Sequence, residues 1–232
     1  MIPLPPVAHI LDNPIYNALT TNHRVFSEGD ESVKYYHREV ASFAGMRTNS
    51  EYDFKKLHTM MPDKGVFIIF SPDALKIPNY WNLIKEIDMF QFVYERDEAP
   101  ELKNEVNLNE LDQQHVDEMI ALVELTKPGP FLSRTIDLGN YTGVFEEGRL
   151  AAMAGHRFHP SNYIEVSAVC AHPDFLGKGY AYAVIREQIK RILEKSQIPF
   201  LHVRQDNAAA VKLYEKLGFR IRTEMKAYVL AK

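Results

Sequence analysis

The sequence predicts an α+β fold in two parts, a smaller N-terminal unit over residues 1–103 and a larger one over residues 104–232. Three observations carry this. Residues 163–192 read as a buried strand, a glycine turn and an amphipathic helix. Residues 200–218 repeat the order strand, turn, helix, and stop at Gly218. The charged stretch Glu95-Arg96-Asp97-Glu98 and Pro100 set these apart from a first half with helices and strands of its own.

The 232 residues suffice for one large or two small domains, and 46% hydrophobic with 25% charged content is ordinary for a soluble globule. The net charge of −4, with no basic block, argues against a nucleic-acid partner. No apolar run nears the ~18 residues that span a bilayer, so no membrane partner is expected. The N-terminus, MIPLPPVAHILDNP, lacks the basic region and sustained apolar core of a secretory signal. The single Cys170 cannot form an internal disulfide, which suits a reducing, cytoplasmic setting. A monomer or homodimer is expected.

In chain order, the proline-rich residues 1–14 are expected along the surface, and Pro14 opens a helix to about Asn22. Val33–Met46 alternates loosely as strand. Glu51–Met61 has helical spacing and stops before Pro62. Gly65–Phe70 is a short buried strand, and Trp81–Tyr94 holds one or two more. In the second unit, Glu105–Leu108 reads as a strand. A helix over Leu111–Thr126 follows, capped by Asp112, with Val116, Met119, Ile120 and Val123 on one face. The rigid loop Lys127–Phe131 leads to Arg134. Strands at Tyr141–Phe145 and Leu150–Phe158 are joined by the turn Glu147-Gly148. Arg220–Leu230 forms one or two closing strands.

The chemistry concentrates in YIEVSAVCAHPDFLGKGYA, residues 163–181. Regular alternation puts Ile164, Val166, Ala168 and Cys170 on one face, and Glu165, Ser167, Val169 and Ala171 on the other. The turn Gly177-Lys178-Gly179 opens into a helix whose apolar side is Ala181, Val184, Ile185, Ile189 and Ile192. Glycines at a helix N-terminus make an anion site, although Gly-X-Gly alone fits a tight turn before a core helix equally well. Tyr182 at the third glycine position excludes a dinucleotide fingerprint, and Gly179 after Lys178 excludes a P-loop. Downstream, Asn207 and Tyr214 lie seven residues, about two helical turns, apart.

Together, the glycine turn and N-x-x-A-x-x-L-Y-E-K-x-G-F at Asn207–Phe219 resemble the GNAT superfamily of acyl-CoA-dependent N-acyltransferases. The resemblance covers Asn104–Lys232. It implies a mixed, mostly antiparallel sheet flanked by helices, splayed after its fourth strand, with the acyl-CoA thioester in the splay. The first half is similar to the truncated half-domain of glycine N-acyltransferase-like proteins, which shapes the acceptor side. One departure is Asp174 and Leu176, at positions where the family usually carries Arg or Gln.

The resemblance implies an N-acetyltransferase that moves the acetyl group of acetyl-CoA directly to a primary amine of a small molecule. The alternatives are an inactive CoA-binding or sensor module and a protein or peptide acetyltransferase. Glu165 is the expected general base, its pKa raised by apolar neighbours, and His202 the substitute. Glu165 reads equally as a structural ion-pair member, with His156 or Arg157. Tyr214 is the expected general acid for the leaving thiolate. Backbone N–H groups of Val169 and Ala171, with Cys170 between them, are expected to hold the thioester and pantetheine. Leu176, Gly177, Lys178, Gly179, Tyr180 and Ala181 would cradle the pyrophosphate, and Asn207 and Ala210 the pantetheine or phosphate side. Cys170 reads as a buried, inert thiol. Phe131 and Arg134 are candidate acceptor contacts, Arg134 for a carboxylate. No Cys/His group has zinc spacing, so no metal is expected.

Overall fold

A computed structural model describes residues 8–62, 65–102 and 104–232; the first half of the proline-rich stretch, residues 1–7, lies outside the described residues. Five helices are α1 (Pro14–Thr20), α2 (Glu51–Met60), α3 (Val116–Thr126), α4 (Tyr180–Glu194) and α5 (Ala208–Leu217). The strands are β1 (Ser27–Gly29), β2 (Val33–Tyr36), β3 (Ala44–Met46), β4 (Val66–Ser71), β5 (Asn82–Tyr94), β6 (Asn109–Glu110), β7 (Thr142–Glu146), β8 (Arg149–His156), β9 (Tyr163–Ala171), β10 (Ile198–Arg204) and β11 (Phe219–Ala231).

Eight strands form one sheet in the order β4-β11-β5-β10-β9-β8-β7-β6, and β1–β3 form a small second sheet. Only the β9–β10 pair of the large sheet is parallel; its other pairings are antiparallel. This is the mixed, mostly antiparallel α+β architecture. The expected boundary at residues 103/104 does not divide the sheet, because β5 of the first half lies between β10 and β11 of the second. Local sequence could not reveal this, since strand pairing is decided by long-range fit.

Other expectations shift in detail. Val33–Met46 is two strands, β2 and β3, which pair with each other. Glu105–Leu108 is not a strand; the edge strand is the two-residue β6 that follows it. Asp112 does cap, accepting from Gln114 N at 2.9 Å, but it caps a 3₁₀ turn ahead of α3. The Glu147-Gly148 hairpin has both residues at positive φ, 50° and 72°, as a type I′ turn requires.

Two apolar layers flank the splay. Ile164, Val166 and Leu201 pack with Ile185, Ile189 and Ile192 of α4 on one side of the sheet. Cys170 and Met153 pack with Met119, Leu122 and Val123 of α3 on the other.

Candidate active site

β9 and β10 pair only at Tyr163–Ile198, Ile164–Pro199 and Glu165–Phe200. β9 then runs on to Ala171 and β10 to Arg204 without pairing. The sheet therefore opens into a V whose walls are strand backbone. His172 donates its N–H to Ala151 O on the β8 side at 2.8 Å. Alternation turns the N–H groups of Val169 and Ala171 the other way, into the V.

A bulge in β9 sets this arrangement. Cys170 faces Met153 and Ser167 faces Gly155, so Ala168 and Val169 together oppose one residue of β8. Ala168 absorbs the extra residue at φ 50°. The bulge reverses the alternation, and Glu165 does not share a face with Val169 and Ala171 as regular pleating predicts. Val169 packs with Val166 on the α4 side, while Cys170 packs on the α3 side.

Glu165 is fully buried. Arg157 grips it with two parallel bonds, Nε to Oε2 at 2.8 Å and Nη2 to Oε1 at 2.6 Å. His202 Nδ1 lies 2.6 Å from the same Oε1. Burial pushes the carboxyl pKa up, but Arg157 and then His202 outweigh it and hold the value at about 2. The expected rise is thereby corrected: the geometry is that of the structural ion pair with Arg157, not of a base poised near neutrality.

His202 is closed as well. Gln91 Oε1 accepts from Arg222 Nε, which assigns the Gln91 amide nitrogen as donor to Leu11 O at 2.8 Å and to His202 Nε2 at 2.9 Å. Both ring nitrogens are then engaged, and burial lowers the imidazole pKa, so His202 is neutral with no lone pair open to the V. Gln91 was not foreseen. It comes from β5, and nothing local in the sequence links it to residue 202.

Tyr214 sits on α5 with its ring packed against Phe92 and Phe219, centroids 6.2 and 6.1 Å away. Burial raises its phenol pKa, and Cys170 and Glu165 on β9 add to the rise. The phenol stays protonated and can donate. Asn207 is exposed and uses Oδ1 to cap α5, accepting from Ala210 N at 3.2 Å. Cys170 is buried, which pushes its thiol up to about 11 and keeps it a thiol.

Beyond the open end of β9 lies a cavity of about 470 Å³. Ala171 and the run from Leu176 to Ala181 line it, together with Val106, Leu213 and Lys216. Gly177 and Gly179 have φ of 81° and 83°, and a Cβ on either would meet nothing within 4 Å. The space beside them is open and the backbone is directly approachable. Gly179 is the N-cap of α4 and no side chain caps that end, so the first N–H groups of the helix are free for an anion. Asp174, the departure from the family pattern, is paired with Arg149 at 2.8 Å. Lys216 brings a second cation to this cavity, carried on α5 two residues after Tyr214.

On the α3 side, Phe131, Arg157, Ser167 and Ala168 line a small cavity of about 20 Å³. Arg134 is not among its lining residues. Its guanidinium is held by Asp137 at 2.8 Å and Glu39 at 3.4 Å, so it is not free for the carboxylate expected of it. Among the described residues no group of three or more His, Cys, Asp or Glu could hold a metal ion. No helix among them is long and apolar enough to cross a membrane.

Comparison with known proteins agrees with this geometry. The model of the FR47-like protein family matches residues 141–229. A putative GNAT-family acetyltransferase from Novosphingobium aromaticivorans is 32% identical, with TM-score 0.89, over 97% of this chain and 99% of its own. A GCN5-related N-acetyltransferase from Kribbella flavida shares the fold at 10% identity and TM-score 0.63, over 93% and 95% of the two chains. A GNAT-family acetyltransferase from Colwellia psychrerythraea does so at 10% identity and TM-score 0.54, over 97% and 98%. No curated protein matches in sequence. With a strand splay, a glycine loop at a helix N-terminus and a relative that is 32% identical over 97% of this chain, the chain belongs to the GNAT family of acyltransferases.

Proposed function

We propose that this protein transfers the acetyl group of acetyl-CoA to a primary amine of a small molecule. The observation that carries the reading is the continuity of the V between β9 and β10 with the glycine-loop cavity through Ala171, which ends β9 and lines that cavity. A diphosphate on the α4 N-terminus directs the pantetheine arm along β9 and places the thioester in the V.

The amine nitrogen attacks the thioester carbon, and the oxyanion takes hydrogen bonds from the Val169 or Ala171 N–H. The tetrahedral intermediate collapses with loss of the CoA thiolate, which takes the Tyr214 phenolic proton. The proton of the attacking amine leaves to water in the V, since the polar atoms of Glu165 and His202 are engaged by Arg157, by Gln91 and by each other. Tyr214 is reprotonated from solvent. Glu165 and His202 keep the wall of the V in place, and Phe131 faces the acceptor.

Closure of both side-chain bases also favours a second reading, a CoA-binding module without turnover. One experiment separates the two. The protein is incubated with acetyl-CoA and a panel of small amines, and released CoA thiol is quantified. Acceptor-dependent release supports the transferase; CoA binding by calorimetry with release no faster than without protein, across the panel, supports the module.

A further inference from the structure

Glu146 ends β7 and stands beside the glycine loop. Its Oε1 accepts from Lys178 Nζ at 2.5 Å. Its Oε2 is buried, and the Tyr180 phenol bears on the same carboxyl. The Lys178 ammonium, and next the Tyr180 phenol, hold this carboxyl below the usual range, so it is ionised at neutral pH. The type I′ turn at Glu147-Gly148 fixes the strand end that carries it.

Lys178 is the one residue between Gly177 and Gly179, and it lines the glycine-loop cavity. A diphosphate seated on the α4 N-terminus meets this ammonium, which lines the cavity, and through it the Glu146 carboxylate that is ion-paired to it from outside the lining. Lys178 attracts it. Glu146 repels it, and it occupies one of the three ammonium donors. The nearby Arg149 is likewise held, by Asp174 at 2.8 Å and Glu147 at 3.4 Å, and does not offset the carboxylate.

We propose that Glu146 is a specificity-determining residue of the donor site: it withholds Lys178 and sets a carboxylate beside the diphosphate, and so narrows the preference for acyl-CoA over acyl-pantetheine thioesters that lack phosphate. The inference rests on the acyl-CoA reading above. It gives a strand residue outside the glycine loop control over how much of the donor's affinity comes from its phosphates.

The test is Glu146→Gln in the full chain, with CoA and S-acetylpantetheine titrated separately by calorimetry. The variant is expected to bind CoA about two- to five-fold more tightly, the size of an exposed charge interaction, with the gain shrinking as salt rises. Its affinity for S-acetylpantetheine should equal that of the wild type. In a Lys178→Ala background the gain from Glu146→Gln should shrink, because only the direct repulsion by the carboxylate is then relieved. Unchanged or weaker CoA binding by Glu146→Gln, or an equal gain for the phosphate-free thioester, overturns the proposal. A wild-type chain that binds no CoA is a different result: it removes the acyl-CoA reading itself and this proposal with it.

Discussion

Arg157 and Glu165 form a buried, two-pronged ion pair across the wall of the strand splay, at 2.8 and 2.6 Å. Three aromatic rings, Phe43, Phe70 and Phe158, lie 4.6 to 5.6 Å from the guanidinium carbon. The pair ties β9 and the segment that leaves β8 to β10 through His202, and to β5 through Gln91.

Breaking that pair is costly because it strands a buried guanidinium. Glu165→Gln should lose about 3–5 kcal/mol of stability in urea unfolding. The wild-type carboxyl has its pKa lowered from 4.5 to about 2. Its contribution is therefore complete above the unfolded value and lost as pH falls from about 4.5 toward 2. The variant should lack this part of the acid limb. Per folded molecule, its rate–pH profile should match the wild type; loss of the acidic limb of the rate would restore Glu165 as the base.

Two buried histidines act in a neighbouring window. Burial lowers His23 to about 4 and His156 to about 3. Depressed histidines stabilise the neutral fold above the unfolded value of 6.5, and this stability is lost as pH falls through the folded values. Unfolding free energy should drop by about 3 kcal/mol for His23 and about 4 kcal/mol for His156 between pH 7 and pH 3. Histidine C2-proton NMR should show His23 still neutral at pH 5.5, and titration near 6.5 would refute the expectation.

Tyr214→Phe keeps the ring packing and removes the proton donor. It should reduce kcat about 10²–10⁴-fold while leaving CoA affinity within about two-fold. Unchanged turnover on a true acceptor would make the phenol a packing group alone.

Gly179→Glu puts a Cβ at φ 83° and a carboxylate where the helix N-terminus meets the cavity. The backbone strain should cost about 1–2 kcal/mol, within what a folded domain tolerates. CoA binding should disappear in calorimetry while the cooperative melt survives. Retained affinity would move the phosphate site off this loop.

Arg134→Ala should change the acceptor KM by less than about two-fold, because the side chain is engaged by Asp137 and Glu39. Phe131→Ala should raise that KM several-fold. The reverse ranking in a kinetic comparison would return Arg134 to the acceptor pocket.

The sequence by itself determined the local elements that carry chemistry. Period-2 and period-3.6 patterns place β9, α4, β10 and α5, because burial of one face dictates which residues recur. Gly177, Gly179 and Gly218 were legible because their left-handed backbone favours residues without a Cβ. The spacing of Asn207 and Tyr214 follows from helix geometry alone. Tertiary structure decided three other things. It inserted β5 between β10 and β11, which joins the two expected domains through long-range pairing. It placed the bulge at Ala168, which reverses every later side chain of β9 and parts Glu165 from Val169 and Ala171. It also closed Glu165 and His202 into a network with Arg157 and Gln91. A carboxylate's working state depends on the charges and hydrogen bonds brought against it in space, and those came from Arg157 just past the end of β8 and from His202 on β10, which no reading of residue 165 by itself could supply.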